Sequence, residues 1–162
     1  MSTVASQERV SRRPTLRNIA LLVCSFAGLG VSIYLTLTHY TKAVSLVCSD
    51  NGAINCEKVT TSPQSIVFGI PVAVLGLAFF VGMVILSLPP IYRRPERFIA
   101  FVRLGSAIVG IGFVLYLVYA ELFIIHAICL WCSSVHVLTF IIFCLVVSGW
   151  PEVAGEEEDY EG

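Results

Sequence analysis

The chain has 162 residues, of which 57% are hydrophobic and only 13% are charged. Soluble domains carry about 25% charged residues, so this composition excludes an ordinary soluble globular enzyme. The formal net charge is -1, and the ten Lys and Arg residues are clustered without interleaved aromatic residues. That pattern gives no support to nucleic-acid binding. The sequence therefore predicts a small integral membrane protein with six cysteines.

Uncharged apolar stretches predict the membrane spans in chain order. A spanning helix needs about 20 apolar residues. The second stretch ends at Pro89-Pro90, because proline stops a helix, and the run 104–150 is too long for one helix and is divided near Ile125-His126. The four predicted spans are 19–39, about 66–88, about 100–123 and 128–148. Backbone groups in lipid must be satisfied internally, so the fold class is all-α, an integral membrane four-helix bundle.

Two kinds of small residue in these spans are predicted to serve packing. Glycines along the spans would let helices approach closely. They are Gly28, Gly30, Gly76, Gly82, Gly105, Gly110 and Gly112. Cys24 and Cys144 lie near the predicted cytoplasmic ends of the first and fourth spans, and they are interpreted as inert apolar fillers.

The basic residues predict the orientation, because positive charges collect on the cytoplasmic side. Four arginines precede the first span, four lie in or beside the loop between the second and third spans, and two lysines lie on the other side. They are Arg9, Arg12, Arg13 and Arg17, then Arg93, Arg94, Arg97 and Arg103, and finally Lys42 and Lys58. Both termini are therefore expected in the cytoplasm, with the 40–65 loop outside. Residues 1–17 would form a basic N-terminus, 18–150 the membrane domain and 151–162 an acidic disordered tail.

With this topology, four cysteines share the extracytoplasmic side. Cys48 and Cys56 lie in the 40–65 loop, and Cys129-Leu-Trp-Cys132 opens the fourth span. A helix N-terminus favours the thiolate, which is the attacking species in disulfide exchange. Two pairs on one oxidising face favour a thiol relay. Static structural disulfides, packing cysteines and zinc are the alternatives, although the spacing of Cys48 and Cys56 is wider than in usual zinc knuckles.

Electrons that reach Cys129 and Cys132 need an acceptor. The sequence has no dinucleotide-binding loop, haem-attachment motif or iron–sulfur cysteine run, so a membrane quinone is the simplest acceptor. The helical spacing of Cys129, Cys132, Ser133 and His136 places them on one face, which is a candidate quinone pocket. His136 can hydrogen-bond a quinone or, more commonly for such a residue, a neighbouring helix. Glu121 can relay protons or reach the lipid headgroups, and the second role is slightly favoured.

Together, these residues resemble the vitamin K epoxide reductase family over about residues 15–150. The resemblance is carried by Cys56-Glu-Lys-Val-Thr-Thr-Ser62, by Phe68-Gly69-Ile70-Pro71 leading into Gly76, and by Cys129-Leu-Trp-Cys132. It implies the chemistry of the bacterial members, which oxidise secreted thiol proteins through a thioredoxin-like carrier and pass the electrons to quinone. Many bacterial relatives carry a fused thioredoxin-like domain, whereas this chain ends in an acidic tail. The carrier is therefore expected to be a separate extracytoplasmic protein.

The resemblance also implies a role for each site residue. Cys48 would meet the carrier, Cys56 would connect to Cys129, and Cys132 would face the quinone. Ser62 would hydrogen-bond a quinone oxygen, while His136 stands where animal members carry a tyrosine that contacts the quinone.

The predicted function is that of a membrane thiol:quinone oxidoreductase that generates disulfides, with menaquinone or ubiquinone as the diffusible acceptor. One alternative is a transmembrane thiol electron transporter, in which Cys24 and Cys144 would be the only cytoplasmic-side candidates. Another is a non-catalytic four-span protein whose disulfides merely hold its shape.

Overall fold

The computed structural model describes residues 2–41, 47–48, 53–88 and 97–150, and this part of the chain is mainly helical. Its helices are α1 (Ser2–Tyr40), α2 (Cys56–Thr60), α3 (Val72–Ser87), α4 (Arg97–Tyr119) and α5 (Leu130–Ser148). A 3-10 turn (Pro63–Ser65) follows α2, and a π-helical turn (Ala120–Ile125) extends α4. Strands β1 (Ile66–Val67) and β2 (Ile70–Pro71) form a small antiparallel hairpin. The all-α fold class is confirmed, while the predicted acidic tail lies outside the described residues.

Three helical segments are long and apolar enough to cross a membrane among the described residues. They are Leu16–Tyr40, Phe98–Ile125 and Leu130–Ser148, with mean hydropathies of 2.1, 2.4 and 2.3. Helix α3 has 16 residues, which corresponds to about 24 Å against a bilayer core of about 30 Å. The chain is therefore a multi-pass membrane protein whose second long helix in sequence order, α3, is the shortest of the four.

The predicted start of the second span is wrong. Residues from Ile66 to Pro71 form the β1–β2 hairpin, and α3 begins only at Val72. The reason is the turn at Phe68 and Gly69, whose φ values of 54° and 79° lie in the left-handed region. A helix cannot pass through two such residues. The predicted end is confirmed, because α3 stops at Ser87, just before the two prolines.

The predicted division of the last apolar run near Ile125-His126 is confirmed. His126 adopts a left-handed conformation with φ 53°, and its N–H donates to the carbonyl of Glu121. The N–H of Ala127 donates to the same carbonyl at 3.2 Å. These bonds close the π-helical turn and redirect the chain, so that α5 begins four residues later at Leu130.

Helix α1 packs against α3 and α5, and α4 packs against α5 and α3. One buried cluster fills this bundle, and its members are Leu21, Phe80, Met83, Ala107, Ile142 and Val146. Cys24 packs against the cluster as predicted, but Cys144 is exposed on the outside of α5, and both thiols are free.

The prediction about glycine packing is right for three positions. A Cβ at Gly28 would lie 2.0 Å from the Phe80 ring, and one at Gly110 would lie 2.9 Å from the Phe79 ring. At Gly76 it would contact the Ser32 hydroxyl at 3.4 Å. The prediction is wrong for the other four, where an added Cβ would meet nothing within 4 Å, namely Gly30, Gly82, Gly105 and Gly112.

Candidate functional site

The four cysteines of the two predicted pairs lie together in a second buried cluster, which we call the cysteine cluster. Cys56 and Cys129 are completely buried at its centre, and Cys48 and Cys132 pack against them. The remaining members are Val59, Ala120, Ile125, Ala127 and Trp131. The 40–65 loop and the start of α5 therefore contribute to one compact site.

The two pairs differ in redox state. Cys48 and Cys56 form a disulfide, with their Cα atoms 6.1 Å apart, whereas Cys129 and Cys132 are free thiols. In the part of the chain that is described, no group of three or more His, Cys, Asp and Glu side chains is arranged to hold a metal ion. The site thus contains one oxidised and one reduced cysteine pair.

Backbone pairing holds the 40–65 loop against the segment that precedes α5. The Asn55 N–H donates to the carbonyl of Ile128 at 3.1 Å, and the Ile128 N–H donates to the carbonyl of Ala53 at 2.9 Å. The Asn55 side chain also caps α2, since its Oδ1 accepts from the N–H of Lys58 at 2.8 Å. Because Cys56 follows Asn55 and Cys129 follows Ile128, this short parallel bridge brings one cysteine of each pair to the same place.

A second attachment holds the residue before Cys48. The Val47 N–H donates to the Tyr34 hydroxyl at 3.1 Å, and the Trp131 Nε1–H donates to the Val47 carbonyl at 3.0 Å. The Tyr34 and Trp131 rings lie 4.8 Å apart. We call these three residues the Val47 clamp. Trp131 is one of the two residues between Cys129 and Cys132, so the clamp joins the residue before Cys48 to the segment that carries the reduced pair.

Cys129 occupies the N-cap position of α5, as its place at a helix start predicts. Its Sγ accepts from the N–H of Cys132 at 3.3 Å, and its extended backbone is typical of an N-cap residue. The pKa of the Cys129 thiol is lowered, chiefly because the Cys132 side chain hydrogen-bonds to its sulfur and also because backbone N–H groups of the first turn point at it. Cys129 therefore ionises more readily than an ordinary cysteine, which favours its nucleophilic thiolate form.

A cavity of about 290 Å³ opens beside Cys132. Most of its wall is apolar and comes from all four long helices, with Phe79, Phe80 and Phe113 among the contributors. Its polar wall includes Cys132, His136, Thr139, Glu121, Ser62 and Gln64. The structure thus brings Ser62 and His136, the two predicted quinone contacts, to the same cavity as Cys132.

The two predicted contacts differ in their hydrogen bonding. The Ser62 hydroxyl donates to the carbonyl of Val59 at 2.7 Å, so in this position it has a lone pair but no proton to offer a ligand. His136 is 8% exposed, and no hydrogen-bond partner for its imidazole is found among the described residues. The expected bond from His136 to a neighbouring helix is therefore not made, and the imidazole is available to the cavity.

Two expectations about the site are wrong, and one residue of the cavity wall was not predicted. Cys129 and Ser133 do not line the cavity although they share the predicted helix face, since the Ser133 hydroxyl donates to the carbonyl of Cys129 instead. Glu121 does not reach the lipid headgroups, because it is only 5% exposed and faces the cavity. Thr139 was not among the expected residues, although it follows Cys132 by seven positions and His136 by three, so helical spacing alone could have indicated it.

The sequence matches the profile of the Vitamin K epoxide reductase family over residues 19–147. The chain belongs to this family. Vitamin K epoxide reductase family proteins are membrane oxidoreductases that act on thiols and disulfides, use quinone as an electron carrier and generally work with thioredoxin-like partners. The matched region contains α3, α4, both cysteine pairs and every described residue of the cavity wall.

Proposed function

We propose that this protein oxidises the dithiol of a thioredoxin-like carrier outside the cytoplasm and reduces quinone to quinol. The observation that carries the proposal is the position of Cys132, which belongs to the cysteine cluster and also lines the cavity. A thiol that contacts both the cysteine cluster and the cavity can receive electrons by disulfide exchange and deliver them to a molecule bound in the cavity. Cys24 and Cys144 belong neither to the cysteine cluster nor to the cavity wall.

The first transfer takes place at the loop disulfide. A carrier thiolate attacks the Cys48 sulfur, which breaks the Cys48–Cys56 bond and releases the Cys56 thiolate. The second carrier thiol then displaces Cys48, so that the carrier leaves as a disulfide and the loop pair becomes a dithiol. Cys48 suits the first contact because it is partly exposed, while Cys56 is buried.

The second transfer connects the pairs. With Cys129 and Cys132 oxidised, the Cys56 thiolate attacks Cys129, its neighbour in the cysteine cluster, and Cys132 leaves. Cys48 then attacks Cys56 and restores the loop disulfide. The result is an oxidised loop pair beside a reduced inner pair, which is the redox state of the structure.

The residues of the cavity fit a quinone headgroup. A flat apolar ring with two carbonyl oxygens needs apolar walls and a few hydrogen-bonding groups, and the cavity is near the small end of the usual range of about 300–1,000 Å³ for ligand pockets. When bound, a quinone supplies an acceptor of two electrons and two protons. The imidazole of His136 would hold one carbonyl, and Ser62 would contribute after its hydroxyl turns away from Val59. Cys132 and Cys129 become a disulfide as the two electrons leave.

The test is to replace each of the four cysteines singly by Ser and to measure quinone reduction by a reduced thioredoxin-like carrier. Cys132→Ser should abolish the reaction, while Cys24→Ser, a matched change of a cysteine outside the site, should retain it. A carrier that lacks its second cysteine should form a mixed disulfide with the wild-type protein and not with Cys48→Ser. Full activity in Cys132→Ser would overturn the proposal.

We also propose that both termini lie in the cytoplasm and that the cysteine cluster faces the opposite side of the cell membrane. The distribution of basic residues supports this orientation. A reporter that folds only in the cytoplasm should be active when fused after Gly162 and inactive when inserted into the 40–65 loop. The reverse pattern would contradict the orientation.

A further inference from the structure

Glu121 is a buried carboxyl group that the proposed electron pathway leaves without a role. It lies in the π-helical turn, is 5% exposed and lines the cavity with Cys132 and His136. A charged residue inside a membrane protein is costly to keep there and commonly serves ion or proton movement. Its position at the end of α4 therefore calls for a functional explanation.

Backbone hydrogen bonds fix the turn that carries Glu121. The carbonyl of Glu121 accepts the N–H groups of both His126 and Ala127, which closes the turn on this residue. Its carboxyl group faces the backbone amide of Cys129 and lies close enough for its charge to act on the thiols of Cys129 and Cys132. Glu121 and Cys132 thus face the same cavity.

The surroundings favour transfer of a proton rather than a fixed ion pair. The cavity wall formed by the described residues contains no Lys or Arg, and its other ionisable groups are Cys132, His39 and His136. Burying a carboxylate without a cation costs more free energy than burying the neutral acid. A carboxyl in this position can therefore exchange a proton with a neighbouring thiol without changing a salt bridge.

We propose that Glu121 is the proton-transfer residue of this site. The Glu121 carboxylate takes the proton from the Cys132 thiol, so that the S–H bond breaks and an O–H bond forms. The sulfur electrons pass to the quinone in the cavity as the Cys129–Cys132 disulfide forms, and the Glu121 carboxyl then gives its proton to a quinol oxygen. The second quinol proton comes from the Cys129 thiol, so two electrons and two protons are transferred. This step rests on the proposed function.

The matched variants are Glu121→Gln and Glu57→Gln. Glu57 lies on α2 near the same cysteines but is exposed, so its change controls for loss of a carboxylate at this end of the protein. We expect Glu121→Gln to slow quinone reduction by about 100-fold, the usual scale for a proton-transfer group. Glu57→Gln should leave the rate unchanged, and Glu121→Asp should recover part of it.

A second readout does not depend on turnover. Infrared difference spectra between the oxidised and reduced inner pair, recorded on quinone-free protein, should contain a carboxyl C=O band that shifts with carbon-13 glutamate, because without quinone the proton taken from Cys132 stays on the Glu121 carboxyl group. The band should disappear in Glu121→Gln and remain in Glu57→Gln. The wild-type spectrum alone tests whether a glutamate changes its protonation. The test therefore remains valid even if the Glu121→Gln variant folds poorly.

The results distinguish this inference from the function on which it rests. A wild-type rate in Glu121→Gln, or a wild-type spectrum without a glutamate carboxyl band, overturns the role of Glu121. If Cys132→Ser is inactive in the same assay, the thiol:quinone reaction stands without it. If Cys132→Ser is fully active, the proposed function itself has failed.

Discussion

Cys129 ionises more readily than an ordinary cysteine because the Cys132 side chain hydrogen-bonds to its sulfur, which lowers its pKa. The thiolate should therefore be present at lower pH than usual, and alkylation of Cys129 should rise at correspondingly lower pH. Cys132→Ala removes the side-chain donor and should move this rise to higher pH. Cys132→Ser keeps an O–H donor and should move it less.

The measurement is the rate of Cys129 alkylation between neutral and alkaline pH, followed by mass spectrometry of the peptide that contains it, with the loop disulfide intact. Both variants keep the backbone N–H of Cys132, so they isolate the side-chain contribution. Profiles that match wild type in both variants would show that the Cys132 side chain does not set the pKa of Cys129.

His136 offers its imidazole to the cavity without a hydrogen bond to the described residues. His136→Phe should therefore weaken quinone binding and leave the folded protein nearly as stable as before. Loss of one hydrogen bond of about 1 kcal/mol corresponds to a rise of about fivefold in the KM for quinone. The KM and the Tm should be measured together, with Val137→Ala, a change at the exposed neighbouring position, as the control. An unchanged KM would exclude His136 as a quinone contact.

At the scale of elements, the Val47 clamp joins α1, the 40–65 loop and α5 through two hydrogen bonds and one ring contact. Tyr34→Phe and Trp131→Phe each remove the hydrogen bond to Val47 and retain an aromatic ring. Each should slow the exchange of electrons between the loop pair and the inner pair severalfold, because Cys48 is held less firmly. The double variant should show less than the product of the two effects, since both residues hold Val47.

The exchange can be followed by rapid alkylation after one equivalent of a small dithiol reduces the loop pair. Thr38→Val provides a control on α1, because within the described residues the Thr38 hydroxyl bonds only to its own helix, at the Leu35 carbonyl. Fully multiplicative effects of the two Phe substitutions would show that the residues act independently and that the clamp is not a unit.

The contact between α1 and α3 depends on the absence of a side chain at Gly28. Gly28→Ala would place a Cβ 2.0 Å from Phe80, which is fully buried and cannot move without disturbing the core. Such overpacking costs about 1–3 kcal/mol, so we expect a Tm several degrees lower in detergent micelles. Gly30→Ala is the matched control, because its Cβ would meet nothing within 4 Å and alanine favours helix. Equal Tm values for the two variants would contradict this packing.

The sequence predicts the long helices well because an uncharged apolar run has few structural options in a membrane. It does not predict the β1–β2 hairpin, since Ile66 and Val67 are as apolar as the helix that follows and only the backbone at Phe68 and Gly69 separates them. The proximity of the four cysteines of the two pairs is predictable from the topology, which places the 40–65 loop beside the start of the fourth span. The burial of Glu121 is not predictable, because the π-helical turn changes which side chains face inward. The hydrogen bond from Trp131 to Val47 is not predictable either, because it joins residues 84 positions apart.

For the whole molecule, the two buried clusters separate packing from chemistry. The bundle cluster holds the helices together, and the cysteine cluster with the adjoining cavity contains the reacting groups. Cys144 follows Cys132 by twelve residues on α5, which corresponds to about 18 Å along the helix. Thiol exchange requires contact between sulfur atoms. A protein that carried electrons across the membrane through thiols would therefore need a large rearrangement to use Cys24 or Cys144.

Replacing both Cys24 and Cys144 by Ala should thus leave the oxidation of the carrier and the reduction of quinone within about twofold of wild type, because neither thiol touches a reacting group. The measurement is quinone reduction in liposomes, with the reduced carrier added on the side of the 40–65 loop. Cys129→Ala, which removes a buried thiol of the site, serves as the inactive reference. If the double variant loses activity while keeping its Tm, the electrons travel through the far end of the bundle and the transporter interpretation replaces the oxidase.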